Sequence, residues 1–258
     1  MRKRAYIAKT MRDGRKALNL ACGTRMDWSW NNVDYSPYTR LTSRPLLARF
    51  FKLVGLLSDS RYQNLQQVDP HIICWDLGKG IPFGDTVFDV VYASHFLEHI
   101  DTHVVPDFLK ECLRVLNTRG VVRIVVPDLR QIVERYSRSL QSLEEGDRGA
   151  LRDHEEAIND LFEQMIRVEA VGTSRARGLS RLLEKLCRGN ARRQGETHRW
   201  MYDRHTLTLR LHEAGFQDVR EETASTSRIE GWTRFNLDTS TDGAEVKPGS
   251  LYVEAAKP

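Results

Sequence analysis

The run Val87-Phe88-Asp89-Val90-Val91-Tyr92-Ala93 is nearly all apolar or β-branched. A strand with one wet face would alternate; this one reads as covered on both faces. Further on, "GVVRIVVPDL" repeats the pattern. Between the two lies "HVVPDFLKECLRVL", with Phe108, Leu109, Cys112, Leu113 and Leu116 at helical spacing. Buried strand, helix, buried strand specifies a parallel sheet with right-handed crossovers. Asn117-Thr118-Arg119-Gly120 is expected to stop the helix, with Gly120 in a left-handed turn.

The remaining elements extend this α/β pattern. "KALNLACG" gives a short buried strand, Ala17 to Leu20, running into a small-residue turn. "WNNVDYS" gives a second ending at Asp34, and "HIICWDL" a third with Asp76 at its end. Near the C-terminus "VREETAST" and "SLYVEAAKP" read as strands, the second as a hairpin partner. Residues 1–258 read as one domain carrying two insertions. Residues 131–195 are expected to be a helical, lid-like insertion. There "ALRDHEEAINDLFEQMIRVEA" sets Leu151, Ile158, Leu161, Met165 and Val168 on one helical face, and "GLSRLLEKLCRGNARR" does the same with Leu179, Leu182, Leu183 and Leu186. Core signals resume at "HRWMYDRHTLTLRLHEAGF". Residues 41–67 form an apolar helical insertion; its "RPLLARFFKLVGLL" is too short to span a bilayer.

The net charge of +4 is too mild to imply nucleic acid. Cys22, Cys74, Cys112 and Cys187 lie far apart, with no C-x-x-C pair, and read as free thiols of a reducing compartment. The basic N-terminus is followed by no apolar core, so it is not a secretory signal. A cytoplasmic protein is expected.

In a doubly wound sheet, ligands sit beyond the carboxyl ends of the strands at the switch in strand order. The first strand ends in Ala21-Cys22-Gly23, where small residues let backbone N–H groups approach a ligand. Asp34 can accept both hydroxyls of a ribose, and Asp76 is placed for an adenine amino group. The fourth strand ends at Ala93-Ser94-His95, facing the same crevice. The set fits an adenosine-type cofactor better than a metal. His95-Phe96-Leu97-Glu98-His99 does match the H-x-x-E-H pattern of some zinc peptidases. That chemistry needs the pattern inside a long helix, with a further ligand downstream; here a buried strand ends just before His95. No metal site is expected.

"LNLACG", "NVDYS", "WDLGKGIPFGDTVFDVVYASHFLEHI" and "LKECLRVLNTRGVVRIVVPDL" resemble the successive motifs of class I S-adenosylmethionine-dependent methyltransferases. The nearest likeness is to the type 11 methyltransferase-domain group associated with polysaccharide biosynthesis. It covers about residues 16–130, and "HRWMYDRHTLTLRLHEAGF" extends it. The resemblance implies a Rossmann-like doubly wound fold with a mainly parallel seven-stranded sheet. It implies S-adenosylmethionine as cofactor, held by Asn19, Ala21, Cys22, Gly23, Asp34, Asp76, Leu77, Ser94 and His95, and O-methylation of a glycan or other small-molecule acceptor. Alternatives are a quinone or natural-product acceptor, or a cofactor-binding scaffold without catalysis. Two departures stand out. The glycine-rich loop is reduced to Gly23, and the connection to Asn31 is too short for a full helix. Asp34, Asp76 and the region of Trp28 and Trp30 are left to hold the cofactor, unless the two tryptophans cap the sheet. His95 and His198 are the candidate general bases, with His205 nearby in sequence and His99 a structural group.

Arg175, Arg177, Arg181, Lys185, Arg188, Arg192 and Arg193 join the leucines of residues 179–186 in a basic amphipathic helix. Such a helix can form a lid or lie on an anionic membrane. With the apolar segment at 44–57, peripheral membrane contact is expected.

Overall fold

The computed structural model describes residues 6–55, 57, 62–63, 65, 69, 71–165 and 198–258. Seven strands form one sheet: β1 (Ala17–Leu20), β2 (Asn31–Asp34), β3 (Ile73–Cys74), β4 (Phe88–Ser94), β5 (Leu116–Pro127), β6 (Gln217–Glu222) and β7 (Ser250–Ala256). Their order is β3-β2-β1-β4-β5-β7-β6. The first five run parallel, and β7 is antiparallel to both β5 and β6. The order reverses between β1 and β4, the switch expected of a doubly wound sheet. The expected pairing of the last two strands is present, with a long excursion between them.

Helices α1 (Pro37–Thr42) and α2 (Pro45–Leu53) lie between β2 and β3, and α3 (Val105–Val115) between β4 and β5. Next come α4 (Leu129–Glu144) and α5 (Leu151–Met165), and then α6 (Arg204–Glu213) before β6. Strand β4 explains its own composition. Val91 and Ala93 enter one core with Phe108, Leu109 and Cys112 of α3 and Leu207 and Leu211 of α6. Val90 and Tyr92 enter a second, opposite core with Trp30, Trp232, Phe235 and Tyr252. Each such burial removes apolar area worth roughly 1.5–3 kcal/mol per large side chain.

Two expectations need correction. Helix α3 ends at Val115, and Leu116 already pairs with Phe88 as the start of β5. Residues 117–120 then bulge before Val121 pairs with Val90. The left-handed residue in the bulge is Arg119 (φ +64°), not Gly120. Gly120 is required for space: a Cβ there would lie 2.8 Å from the Asn117 carbonyl and 3.2 Å from that of Asp89. Second, the expected apolar face of α5 is only partly used. Ile158 and Leu161 are half-buried and Ala157 is buried, whereas Leu151 is exposed. Arg135 of α4 instead holds α5 through Asp153, Glu156 and Asp160. Val168 and the basic segment 175–193 lie outside the described residues. Of the two readings left open for the tryptophans, Trp30 follows the capping one: it is 2% exposed in the second core, packed edge-on to Phe235 at 5.1 Å. Trp28 is on the surface.

Helix α2 buries Ala48 alone and exposes Leu46, Phe50 and Leu53. No helix among the described residues is long and apolar enough to cross a membrane.

Candidate functional site

The chain leaves β1 through Ala21 and Gly23, both at φ +52°, and forms only turns before β2. The Cys22 N–H donates to the Val33 carbonyl at 3.2 Å, extending the β1–β2 ladder into the loop. Asn19 is 1% exposed, and its amide donates to the Arg25 carbonyl (2.9 Å) and to Asn32 Oδ1 (3.0 Å). It thereby braces the loop that leaves β1. Burial pushes the Cys22 thiol up, away from thiolate chemistry. A Cβ on Gly23 would meet nothing within 4 Å, so the loop opens onto free space.

Asp34 is bonded on both oxygens. Oδ2 accepts from the Ser36 N–H (2.9 Å) and the Thr39 hydroxyl (2.5 Å), and Oδ1 from the Gly23 N–H at 3.4 Å. A carboxylate offers about four acceptor positions, so Oδ1 keeps capacity beside that long bond. Asp76 follows β3 and caps a 3-10 turn that begins at Leu77, accepting from the Gly78 N–H at 3.0 Å. Leu77 is half-buried against the first core. The register places these groups side by side: Leu20 lies opposite both Val33 and Ala93, and Asp34 opposite Cys74.

At the end of β4 the geometry tightens. His95, at φ +51°, continues the ladder through its N–H to the Val125 carbonyl. No helix follows, only a 3-10 turn over Leu97–His99, so the peptidase arrangement of H-x-x-E-H is not formed. His95 Nε2 lies 2.9 Å from Ser250 Oγ, whose hydroxyl donates to the Lys247 carbonyl. With that proton committed, Nε2 donates, and the Nδ1 lone pair faces Glu98 Oε1 at 3.3 Å. Burial, reinforced by the Lys247 ammonium, lowers the His95 pKa to about 3. Burial raises that of Glu98, which is fully enclosed, to about 8. Burial thus disfavours the charged form of both groups.

Two contributors escaped the sequence reading. Lys247 sets its ammonium 3.4 Å from Ser94 Oγ, with its pKa lowered by burial. It sits in a motif-free loop; the available signal was topological, since residues preceding an antiparallel last strand arrive at the carboxyl ends of its parallel neighbours. The other is the strap 198–202. The Arg199 and Trp200 N–H groups donate to the Glu98 carbonyl at 2.6 and 3.4 Å, and Tyr202 bridges to Asp128. The strap lays the His198 ring edge-on to His99, 4.8 Å between centroids. His198 therefore reaches the site, while His205 is exposed on α6.

Residues 2–221 match the family model described as "Methyltransferase domain". The chain belongs to that family. It carries a methyltransferase domain. No curated protein matches it. Solved structures similar to this methyltransferase include a SAM-dependent methyltransferase of Archaeoglobus fulgidus, at 12% identity and TM-score 0.40, over 94% of this chain and 86% of the other. Another is a Thermotoga maritima methyltransferase described as a possible histamine N-methyltransferase, at 11% identity and TM-score 0.42, over 95% and 83%. At the strand ends of this methyltransferase, Gly23 faces open space and the Asp76 side chain is half-exposed.

Proposed function

We propose that this methyltransferase transfers the methyl group of S-adenosylmethionine to a hydroxyl of a glycan or glycan precursor. The observation that carries the cofactor part is the row of groups at adjoining strand ends: the open Ala21–Gly23 backbone, Asp34, Asp76 and Ser94. Asp34 takes the ribose hydroxyls, Asp76 the adenine amino group, and Leu77 an edge of the base. In the transfer, the acceptor oxygen attacks the methyl in line, the carbon–sulfur bond breaks, and the acceptor proton passes to a histidine; positioning supplies much of the rate. Of the two candidate bases, His198 on the strap takes this role, because both ring nitrogens of His95 face Ser250 and Glu98; Lys247 beside Ser94 offers the acceptor a cation. The glycan class is supported by the resemblance of residues 76–129 to polysaccharide-associated methyltransferases.

Peripheral membrane contact belongs to the same proposal. Leu46, Phe50 and Leu53 present exposed apolar surface, flanked by Arg44, Arg49 and Lys52, and no acidic residue lies between Ser36 and Leu57. An anionic surface complements that segment, at roughly 1 kcal/mol per basic residue near the headgroups.

The test incubates the protein with methyl-labelled S-adenosylmethionine and two acceptor panels, nucleotide sugars with lipid-linked glycans, and quinones with phenols. Label in the first panel supports the proposal; label confined to the second replaces the acceptor. Calorimetry without binding of S-adenosylmethionine, expected at micromolar Kd or about −8 kcal/mol, would remove the assignment of these residues.

A further inference from the structure

We propose that Glu98, His99 and His198 form a binding site for a divalent transition-metal ion of the zinc type. Each offers one ligand atom, and the three atoms lie within 4.8 Å of one another. Tetrahedral coordination at about 2.0–2.2 Å per bond needs them closer; a movement of about 1 Å by the strap bearing His198 would supply this. Glu98 is 0% exposed, and neither carboxyl oxygen has a hydrogen-bond partner among the described residues. Its approaches to His95 Nδ1 (3.3 Å) and His99 Nε2 (3.8 Å) lack hydrogen-bond geometry. A carboxyl group enclosed in this way is costly, and a cation at the centre of the three groups would satisfy it.

Two imidazoles and one carboxylate make a borderline-soft donor set, suited to zinc, cobalt, iron or nickel rather than magnesium or calcium. Three protein ligands leave a fourth position for water or an acceptor oxygen. The support expected around such a site is also present. His95 stands against the Glu98 carboxyl and is itself held by Ser250, and the Arg199 and Trp200 N–H groups fix the strap to the Glu98 carbonyl. The set differs from the H-x-x-E-H pattern: His95 is behind the carboxylate, and the third ligand arrives from far along the chain. The inference rests on the methyltransferase reading only for its consequence, a Lewis acid beside the crevice that would lower the pKa of an acceptor hydroxyl. With His198 on the metal, the lowered pKa of the acceptor hydroxyl replaces a histidine base, and its proton leaves to water.

The test uses chelator-treated protein titrated with zinc against a colorimetric competitor, and with cobalt followed by visible absorption. One equivalent is expected, with affinity lowered at least about tenfold by His198→Ala and by His99→Ala and unchanged by His205→Ala. Circular dichroism checks each variant's fold. Should His99→Ala not fold, His198→Ala decides alone. Absence of stoichiometric binding, affinity unchanged in His198→Ala, or a cobalt spectrum with thiolate charge-transfer bands would overturn the proposal. S-adenosylmethionine binding by the metal-free protein is measured separately, so failure of the metal site and failure of the cofactor assignment are distinguishable.

Discussion

Replacing Arg123 by Met should be among the most damaging single changes in this chain. Arg123 lies in the middle of β5 with no exposed surface. Its guanidinium donates to Asp238 Oδ2 and Glu254 Oε1, each at 2.8 Å, and to the carbonyls of Thr226 (3.0 Å) and Thr223 (2.6 Å). It also lies 4.5 Å over the Trp232 ring. Methionine fills much of the volume but removes the cation from two buried carboxyl groups, leaving Glu254 only the Arg228 guanidinium at 3.5 Å. Asp238 would keep the Tyr92 hydroxyl, and Glu254 would keep Ser227 and the Arg228 N–H. Removing one partner of such a buried set costs about 3–5 kcal/mol, a large share of the roughly 5–15 kcal/mol available to a domain. At about 2–4 °C per kcal/mol for a chain of this size, Tm should fall by roughly 6–20 °C. The pH dependence has a definite sign. Burial already raises the Asp238 pKa in the folded protein, and loss of the cation raises it further. Between the unfolded and folded pKa values the folded state then binds more protons, so stability falls as pH rises. The deficit should be smaller near about pH 5 than near about pH 8. Urea unfolding at both pH values, with the triple variant Arg123→Met, Asp238→Asn, Glu254→Gln as the neutral reference, measures this. A loss under about 1 kcal/mol, or no recovery in the triple variant, would refute the account of Arg123 as the clamp of this face.

Asp34→Asn should weaken S-adenosylmethionine binding by roughly 10–150-fold, the worth of about 1.5–3 kcal/mol for hydrogen bonds to a charged group; calorimetry reads the change, and an unaltered Kd would remove Asp34 from the ribose. Gly120→Ala should destabilise by about 1–3 kcal/mol, because the new methyl meets two backbone carbonyls that cannot swing aside; an unchanged urea midpoint would count against the bulge geometry. Phe50→Asp with Leu53→Asp should abolish low-salt cosedimentation with anionic vesicles while leaving cofactor affinity intact. Wild-type protein that stays in the supernatant would instead dismiss the membrane contact.

The parallel half of the sheet was legible because it is written in local chemistry. β1 and β2 carry the expected limits, and β4 is apolar on both faces because two cores meet it. Arg123, a charged residue inside "GVVRIVVP", finds its buried counter-charges in Asp238 and Glu254. That pairing is set by long-range topology, which local spacing does not encode. The same limit hid Lys247 and the strap. His198 was legible as a histidine near a recurring motif, but its partner His99 was read as structural, because the contact between them closes only when the strap crosses the end of β4. Gly120 was located correctly and given the wrong reason, since sequence does not distinguish a glycine needed for a positive φ from one needed for the absence of a side chain.

The short turn after β1 has a consequence for how the crevice is closed. A helix starting at Gly23 would bring a positive end and several N–H groups to the cofactor; turns over residues 21–30 bring neither in comparable number. Its substitute is assembled from separate pieces of chain. Asp34 ties the loop to β2 through the Gly23 N–H, and Asn19 ties it from beneath through the Arg25 carbonyl. At the end of β4, Lys247 sets a cation 3.4 Å from Ser94 Oγ. The loop carrying Lys247 is anchored in turn by the Val246 N–H on the Asp238 carbonyl at 2.8 Å, and Asp238 is held by Arg123. The buried clamp on one face of the sheet and the cation at the strand ends are therefore one construction, so a lesion at Arg123 should reach the site through Lys247 even where the fold survives it.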